Sequence, residues 1–301
     1  MQTKVGPRDG LQSYPMIPTS SKLSYINTLV SSGLRRLEVA SFVSPKWVPS
    51  MANSGEVMDA LDAKDGVRYE ALTPNMKGYS QAVSHKSIGA VSVFGSSSEA
   101  FSMDNINCTI EQSMERFKDV VHSAKRDGVP VRGYISCVWG CPKQGLVPVK
   151  DVVRAMSMMK EMGVGELSLG DTIGLATPSD VRSLLSSLGS AGFDVSRDVA
   201  VHFHDTRGMA IANILASLDM GVRIIDSSAG GIGGCPYAGK GASGNVATEE
   251  VIYLLNGMGV ETGVDIDKVV SAAGEILSIL GKPAGDGGKL FKAHKNKVLK
   301  K

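Results

Sequence analysis

The 301-residue chain lacks the features that mark several classes of protein. Its four cysteines are too few for a disulfide scaffold and are typical of a reducing compartment. No apolar run approaches the roughly 20 residues that a bilayer-spanning helix needs. The 32 basic and 30 acidic side chains give a formal charge of +2, without the basic excess of a nucleic-acid-binding protein. We therefore expect a soluble intracellular protein that binds neither nucleic acid nor membrane.

The composition that is present is typical of a folded enzyme-sized protein. Hydrophobic residues make up 43% and charged residues 21% of the chain, which excludes wholesale disorder and allows a sizeable core. A Gly-Pro-Arg-Asp-Gly turn already begins at Gly6, so we expect no signal or transit peptide before the folded part.

Short apolar runs rich in β-forming residues alternate along the chain with longer amphipathic stretches. The runs predicted as strands are Thr3–Val5, Leu34–Phe42, Arg68–Leu72, Ile88–Phe94, Val131–Val138, Gly165–Leu169, Val199–Phe203 and Val222–Ser227. The stretches predicted as helices are Lys22–Ser32, Gly55–Ala63, Lys77–Ser84, Ile110–Arg126, Val149–Met162, Pro178–Ala191, Gly208–Met220, Val246–Gly257 and Asp267–Leu280. About eight strands thus alternate with about eight helices before the last amphipathic stretch.

This alternation predicts an α/β protein with a parallel sheet, closed as a (β/α)8 TIM barrel with a C-terminal helical extension. An open doubly wound sheet is the competing fold, but no Gly-x-Gly-x-x-Gly follows the first strand. We expect one domain over residues 1–301, with the barrel in about 1–260 and a C-terminal helix and basic tail in about 261–301. In such a barrel, chemistry belongs at the carboxyl ends of the strands.

The seventh predicted strand ends in His202-Phe203-His204. Because side chains alternate along a strand, both imidazoles point the same way at the end where a barrel carries its active site. Two imidazoles on one face make half of a divalent metal site. No cysteine cluster stands at a spacing that would suit a closed structural zinc site.

The first predicted strand ends in Arg8-Asp9-Gly10. The carboxylate of Asp9 can complete a nitrogen and oxygen site with the two histidines, and Gly10 lets the backbone turn close to a ligand. Arg8 carries a permanent charge and a forked set of donors that suit an enolate oxygen or a carboxylate.

Two further carboxylates belong to predicted strands. Glu38 lies inside the second strand, where a charge is costly unless paired, so we expect it to face the polar end of the barrel and hold Arg8. Asp171 follows the sixth strand. Each is a site candidate, and the alternative for each is a plain ion pair or a helix cap.

A glycine-rich loop, residues 230–245, follows the eighth predicted strand and holds seven glycines in sixteen residues. Such a loop can approach a substrate closely, as an active-site lid does. Cys235 in this loop is placed for acid–base work if its thiol pKa is tuned. Asn245 offers a neutral oxygen ligand or a helix N-cap. The loop lacks the Gly-Lys-Ser/Thr ending of a nucleotide-binding P-loop.

Several segments together resemble the 3-hydroxy-3-methylglutaryl-CoA (HMG-CoA) lyase family over nearly the whole chain, fading after about residue 280. They are Val5–Gln12, Ala40–Pro49, Leu167–Gly174 and the glycine-rich loop around Cys235. Arg-Asp-Gly with His-x-His is shared more widely, with isopropylmalate and homocitrate synthases. The Gly-Gly-Cys-Pro-Tyr-Ala loop and Ser-Phe-Val-Ser-Pro-Lys-Trp-Val-Pro are narrower and resemble the lyase.

The resemblance implies a function and assigns residues to it. It implies that a divalent cation, Mg²⁺ or Mn²⁺, is bound by Asp9, His202, His204 and Asn245. It also implies catalytic work for Arg8, Glu38, Asp171 and Cys235. As a mechanistic hypothesis, we expect His202 or Asp9 to take the first proton through the metal shell. The family cleaves HMG-CoA to acetyl-CoA and acetoacetate in a retro-Claisen step, in leucine breakdown and ketone-body formation.

Family precedent further implies an acyl-CoA substrate, a homodimer, and a location in mitochondria for a eukaryotic source or cytoplasm for a bacterial one. The sequence departs from the family pattern at Ser13-Tyr14-Pro15 and by a longer loop around Gly239-Lys240. Two alternatives stay open: an acyl-CoA condensing synthase or aldolase on the same barrel, and a non-catalytic metal- or acyl-CoA-binding barrel.

Overall fold

A computed structural model describes residues 2–234, 244–282 and 289–291, with only the backbone described for residues 2–4. Its strands in chain order are β1 (Gln2–Lys4), β2 (Arg36–Ser41), β3 (Arg68–Leu72), β4 (Ile88–Ser96), β5 (Val131–Ser136), β6 (Gly140–Cys141), β7 (Gly145–Leu146), β8 (Glu166–Asp171), β9 (Val199–Phe203) and β10 (Ile224–Ser227). All but β6 and β7 form a closed barrel in the order β1-β2-β3-β4-β5-β8-β9-β10. Neighbouring barrel strands are parallel, and β10 closes the cylinder by pairing with β1.

Helices follow the strands and cover the outside of the barrel. They are α1 (Thr19–Ser31), α2 (Ser54–Ala60), α3 (Met76–Val83), α4 (Glu99–Ile106), α5 (Ile110–Arg126), α6 (Val149–Met162), α7 (Pro178–Ser190), α8 (Val195–Asp198), α9 (Ala210–Asp219), α10 (Thr248–Gly257) and α11 (Ile266–Ile279). Local chemistry sets several of their ends. Thr109 and Gln112 form a reciprocal capping box at the start of α5, and Gly163 ends α6 with a φ of 102°.

The predicted TIM barrel is therefore confirmed, and so is the C-terminal helix, α11, which packs on α1. The sequence patterns missed α4, α8 and the β6–β7 hairpin because these elements are short and weakly periodic. The prediction that Arg8-Asp9-Gly10 ends the first strand is wrong. These residues lie in a single π-helical turn, Gly6–Gly10, in which the Gly10 amide donates to the Val5 carbonyl at 3.1 Å. Among the described residues, no helix combines the length and apolar character needed to cross a membrane.

The inside of the barrel is unusually polar. Branched apolar side chains normally fill this space, but here charged side chains from opposite strands meet across it. Arg36 on β2 makes two hydrogen bonds of 2.9 Å with Glu166 on β8, and Arg132 on β5 contacts Asp226 on β10 at 2.7 Å. Neither pair comes from neighbouring strands, so both contacts cross the interior. The apolar core instead lies between the barrel and its helices, in residues such as Phe117 of α5.

Candidate metal centre and active site

Asp9, His202 and His204 converge at the carboxyl end of the barrel. One ligand atom from each lies within 4.8 Å of the others. His202 is on β9, His204 directly follows this strand, and Asp9 comes from the π-helical turn after β1. Both imidazoles are buried, with 8% and 7% of their residue surface exposed. The structure therefore brings together the three side chains that the sequence predicted to share a cation.

Each imidazole is oriented through its Nδ1 atom. His204 Nδ1 donates to the Thr172 carbonyl at 2.9 Å, since a carbonyl can only accept, and this leaves Nε2 as a free lone pair. His202 Nδ1 lies 3.3 Å from Asp226 Oδ2, and its Nε2 lies 3.9 Å from Asp9 Oδ2. Such outer partners are what metal-binding histidines ordinarily have. Two imidazole nitrogens and a carboxylate oxygen thus form a donor set that fits a divalent cation.

The protonation states suit a ligand set. Burial, together with the nearby His202, lowers the pKa of His204 to about 4, so this imidazole is neutral at neutral pH. Burial alone would raise the pKa of Asp9, but the Arg8 charge and the two imidazoles outweigh it and lower the pKa below its usual value. Asp9 is therefore a carboxylate, and His204 a neutral nitrogen donor, at neutral pH.

The Asp9 carboxylate is held from three sides. Gln12 Nε2 donates to Oδ1 at 2.7 Å, Arg8 Nη1 donates to the same oxygen at 3.1 Å, and Asn245 Nδ2 donates to Oδ2 at 2.9 Å. Gln12 had no role in the sequence prediction, although it lies in the same motif. These donors fix the direction of the carboxylate, which is what a preorganised ligand requires.

Asn245 reaches the site because its backbone pairs with the end of β9. An isolated antiparallel bridge joins it to His204, and the side-chain amide donates to Asp9 and, at 3.1 Å, to the Ile232 carbonyl. The predicted N-cap alternative is wrong, because α10 begins after Ala247. The ligand role of Asn245 stays a prediction, and it requires Oδ1 to face the cation.

Arg8 is fixed by Glu38, as the sequence predicted. Arg8 Nε donates to Glu38 Oε2 at 2.6 Å, and Glu38 also accepts from Ser92 Oγ at 2.5 Å and from the Tyr134 hydroxyl at 3.0 Å. Burial would lower the pKa of Arg8, but Glu38 and Asp9 outweigh burial and raise the pKa above its ordinary value. A permanently charged guanidinium is therefore held beside the Asp9 carboxylate. The catalytic roles of Arg8 and Glu38 stay predictions.

Asp171 does not join the convergent ligand atoms. It is the last residue of β8, and its carboxylate accepts the amides of Leu175 at 2.9 Å and Ala176 at 3.0 Å. These bonds hold the loop whose Thr172 carbonyl orients His204. Burial raises the pKa of Asp171 to about 6. The contacts support a loop-holding function, and direct catalytic work by Asp171 stays a prediction.

The glycine-rich loop is described only at its two ends. Cys235 and Gly239-Lys240 lie outside the described residues, so the predicted acid–base role of Cys235 stays a prediction. At the near end, the Ser13 hydroxyl donates to the Gly234 carbonyl at 2.9 Å, so the segment that departs from the family pattern touches this loop. Gly10 is needed for packing, because a Cβ there would lie 2.9 Å from the Ile232 side chain.

The sequence prediction missed Asp226, Arg132 and Tyr134. Asp226 lies inside the apolar strand β10, and Arg132 and Tyr134 lie on β5. All three are buried, and Asp226 contacts His202. The signal that identified Glu38, a carboxylate inside an apolar strand, applies equally to Asp226 and could have found it.

Comparison with known proteins agrees with this geometry. The family model described as HMGL-like matches residues 2–276. The chain is 54% identical to the mitochondrial hydroxymethylglutaryl-CoA lyase of Arabidopsis thaliana over 94% of its length, and spans 60% of that protein. It is 49% identical to the 3-hydroxy-3-isohexenylglutaryl-CoA/hydroxy-methylglutaryl-CoA lyase of Pseudomonas aeruginosa, over 94% of this chain and 93% of the relative.

Solved structures show the same likeness. The crystal structure of hydroxymethylglutaryl-CoA lyase from Pseudomonas aeruginosa superposes with a TM-score of 0.93 at 47% identity, covering 99% of this chain and 97% of that one. An HMG-CoA lyase from Acinetobacter baumannii, solved with coenzyme A and 3-methylmalate, gives a TM-score of 0.91 at 32% identity, covering 100% of this chain and 97% of that one.

Proposed function

Because the chain belongs to the HMGL-like family, we propose that it is a hydroxymethylglutaryl-CoA lyase that cleaves HMG-CoA to acetyl-CoA and acetoacetate. The observation that carries the proposal is the convergence of Asp9, His202 and His204 at the active end of the barrel. Relatives that share about half of its residues over nearly its whole length carry this name.

The cofactor that we propose is Mg²⁺ or Mn²⁺, held by Asp9, His202, His204 and Asn245. When bound, such a cation supplies Lewis-acid chemistry: it orients the substrate oxygens and makes a hydroxyl proton easier to remove. The support is the donor set itself, in which the neutral imidazole of His204 and the imidazole of His202 lie beside a carboxylate that its neighbours keep ionised.

The remaining chemistry is assigned to side chains of this chain. A base takes the proton of the tertiary hydroxyl, and Asp9 and His202, 3.9 Å apart, are the two candidates for it. The carbon–carbon bond then breaks, its electron pair passes into the enolate of acetyl-CoA, and acetoacetate forms on the other side. Arg8, held rigidly by Glu38, stabilises the negative enolate oxygen, and one such donor is worth about 3–4 kcal/mol. Cys235 donates a proton to the enolate carbon.

We further propose an acyl-CoA substrate bound by a homodimer, acting in leucine degradation and ketone-body formation. Support for the acyl-CoA comes from the relative solved with coenzyme A. Relatives carry both mitochondrial and cytoplasmic names. We propose mitochondria for a eukaryotic source and cytoplasm for a bacterial one.

The test is a coupled acetoacetate assay on the purified protein, run with chelator and after Mg²⁺ or Mn²⁺ is returned. We expect HMG-CoA to yield equal amounts of acetoacetate and acetyl-CoA, chelator to stop the reaction, and the cation to restore it. A parallel assay offers acetyl-CoA with 2-oxo acids. Condensation without cleavage would establish the synthase alternative, and stoichiometric binding without turnover would establish the non-catalytic one.

A further inference from the structure

A chain of buried contacts inside the barrel begins behind His202. Its Nδ1 lies 3.3 Å from Asp226 Oδ2, on the side of the imidazole opposite to Asp9. Asp226 accepts two hydrogen bonds from Arg132 Nη2, at 2.7 and 2.9 Å, and one from Ser168 Oγ at 2.8 Å. Only 1% of Asp226 and 2% of Arg132 are exposed, so water cannot replace these contacts. The direction of the His202 ring therefore depends on where Arg132 holds Asp226.

The same arginine also leads to Arg8. Arg132 Nη1 donates to the Tyr134 hydroxyl at 2.9 Å, and this hydroxyl donates to Glu38 Oε2 at 3.0 Å. That oxygen is the one that accepts from Arg8 Nε. Arg132 thus has two arms toward the site, one through Asp226 to His202 and one through Tyr134 and Glu38 to Arg8, while its Nε contacts Glu166 at 2.6 Å. Since Arg8 also contacts Asp9, the two arms end on the two sides of the same site.

We propose that Asp226 and Tyr134, both held by Arg132, are positioning residues. Asp226 fixes the orientation of the imidazole ring of the cation ligand His202, and Tyr134 fixes the position of Glu38 and thereby of Arg8. The proposal deepens the function proposed above and rests on it for the role of Arg8. The part of the proposal that concerns the His202 arm depends only on the metal centre.

The geometry explains why the residues at positions 226 and 132 are charged. Asp226 accepts the Nδ1 proton of His202, so the Nε2 lone pair faces Asp9, and a carboxylate acceptor makes the imidazole a stronger ligand. The guanidinium of Arg132 can serve both arms at once because its donors form a rigid fork, which a lysine cannot reproduce. His204 needs no such arrangement, because a backbone carbonyl already orients it.

Two conservative variants separate the arms. Asp226→Asn keeps the shape and one acceptor but removes the charge, and Tyr134→Phe removes only the hydroxyl. Matched controls lie outside the barrel. Asp198→Asn neutralises a buried carboxylate that accepts from Lys160 at 2.7 Å, and Tyr79→Phe removes a hydroxyl that donates to Asp127 at 2.7 Å. Circular dichroism and thermal unfolding establish that each variant is folded.

The first readout is binding of Mn²⁺ alone, titrated by electron paramagnetic resonance. We expect Asp226→Asn to weaken Mn²⁺ binding about 10- to 100-fold, the usual effect of losing an outer partner of a metal ligand. We expect Tyr134→Phe and both controls to stay within about threefold of wild type. In ¹⁵N spectra of the cation-free protein, taken at a pH above the raised pKa of His202, the ring should carry its proton on Nδ1 in wild type and on a mixture of both nitrogens in Asp226→Asn.

The second readout is steady-state cleavage of HMG-CoA at saturating Mn²⁺. We expect Tyr134→Phe to lower kcat at least tenfold with little change in KM. The reason is that a less firmly held Arg8 stabilises the transition state less, while substrate binding is little affected. Arg132→Lys should show both defects together. A folded Asp226→Asn that binds Mn²⁺ as wild type overturns the His202 arm, and wild-type kcat in Tyr134→Phe overturns the Arg8 arm. If wild type itself cleaves no HMG-CoA, the lyase assignment fails, while the Mn²⁺ titration still decides the His202 arm.

Discussion

Charged side chains fill the barrel at two levels, and the two levels differ in what the charges face. We call Arg36, Arg68, Glu70 and Glu166 the lower cluster and Asp9, His202 and His204 the upper cluster. In the lower cluster every carboxylate meets an arginine: Glu70 accepts from Arg36 at 3.0 Å and Arg68 at 2.8 Å, and Glu166 accepts twice from Arg36. In the upper cluster the ligand atoms face one another across a gap of up to 4.8 Å.

The difference shows how buried polar side chains inside one barrel serve two functions. Opposite charges in contact neutralise each other, so the lower cluster is a set of ion pairs, and removing one partner leaves a buried charge uncompensated. Donor atoms that converge without hydrogen-bonding one another can share a cation between them. Contacts with neighbouring residues, such as Thr172 to His204, Gln12 to Asp9 and Asp226 to His202, hold the upper cluster in this arrangement.

Removing an upper ligand has the largest expected effect. His204→Ala deletes one of three convergent donors, so we expect Mn²⁺ affinity to fall by more than the ~100-fold that an outer partner costs, and HMG-CoA cleavage to fall to the assay background. Mn²⁺ titration and the acetoacetate assay measure both. His122→Ala, on the exposed side of α5, is the matched control and should change neither. Unchanged Mn²⁺ binding by His204→Ala would show that the upper cluster is not the metal centre.

Breaking the lower cluster should cost stability and leave binding alone. Arg36→Met leaves Glu70 and Glu166 with fewer cationic partners, and breaking a buried ion pair costs about 3–5 kcal/mol of unfolding free energy. Urea unfolding measures this loss. The control Arg182→Met removes an exposed pair with Asp219, worth at most about 1 kcal/mol. The division between the clusters would be refuted if folded Arg36→Met bound Mn²⁺ tenfold more weakly.

Asp171 lies at the level of the upper cluster but outside it, and the effect expected from changing it is the smallest. Its pKa is raised to about 6 in the folded protein, above the value of about 4 for an unfolded chain. Folding therefore favours the protonated form, and this contribution to stability is present below about pH 4 and is lost as pH rises through 6. Wild type should thus lose up to about 3 kcal/mol relative to Asp171→Asn between pH 4 and pH 7.

Urea unfolding of both proteins at the two pH values gives this difference. Asp219→Asn, at the exposed end of α9, is the control and should follow wild type. Mn²⁺ affinity of Asp171→Asn at pH 7 should stay within about threefold, because Asn still accepts a loop amide. A loss as large as that of His204→Ala would place Asp171 in the upper cluster.

Local sequence patterns were enough to predict much of the barrel and the two histidines of the metal centre. The limits predicted for β3, β9, α5 and α6 are those of the structure, because each is a continuous apolar or amphipathic run with clear ends. His202 and His204 were found because strand alternation alone puts them on one face. The π-helical turn was missed because Gly-Pro-Arg-Asp-Gly has no periodic signal, and its geometry depends on closure of β1 against β10.

The role of Asn245 could not be settled in the same way. The sequence allowed Asn245 to be either a helix cap or a site ligand, because an asparagine just before a predicted helix is compatible with both roles. The helix start at Thr248 and the bridge to His204 exclude the cap, and both depend on how the chain returns to the barrel after the glycine-rich loop.

The sequence alone determined the parallel barrel, the end at which its chemistry lies, and the family, because these follow from residue order and from motifs read within a few positions. Only the tertiary structure decided which buried charges are paired and which are left to bind a cation. Arg132 and Asp226 are 94 residues apart and lie on strands that are not neighbours. Their contact exists only because the sheet closes into a cylinder narrow enough for side chains to meet across it.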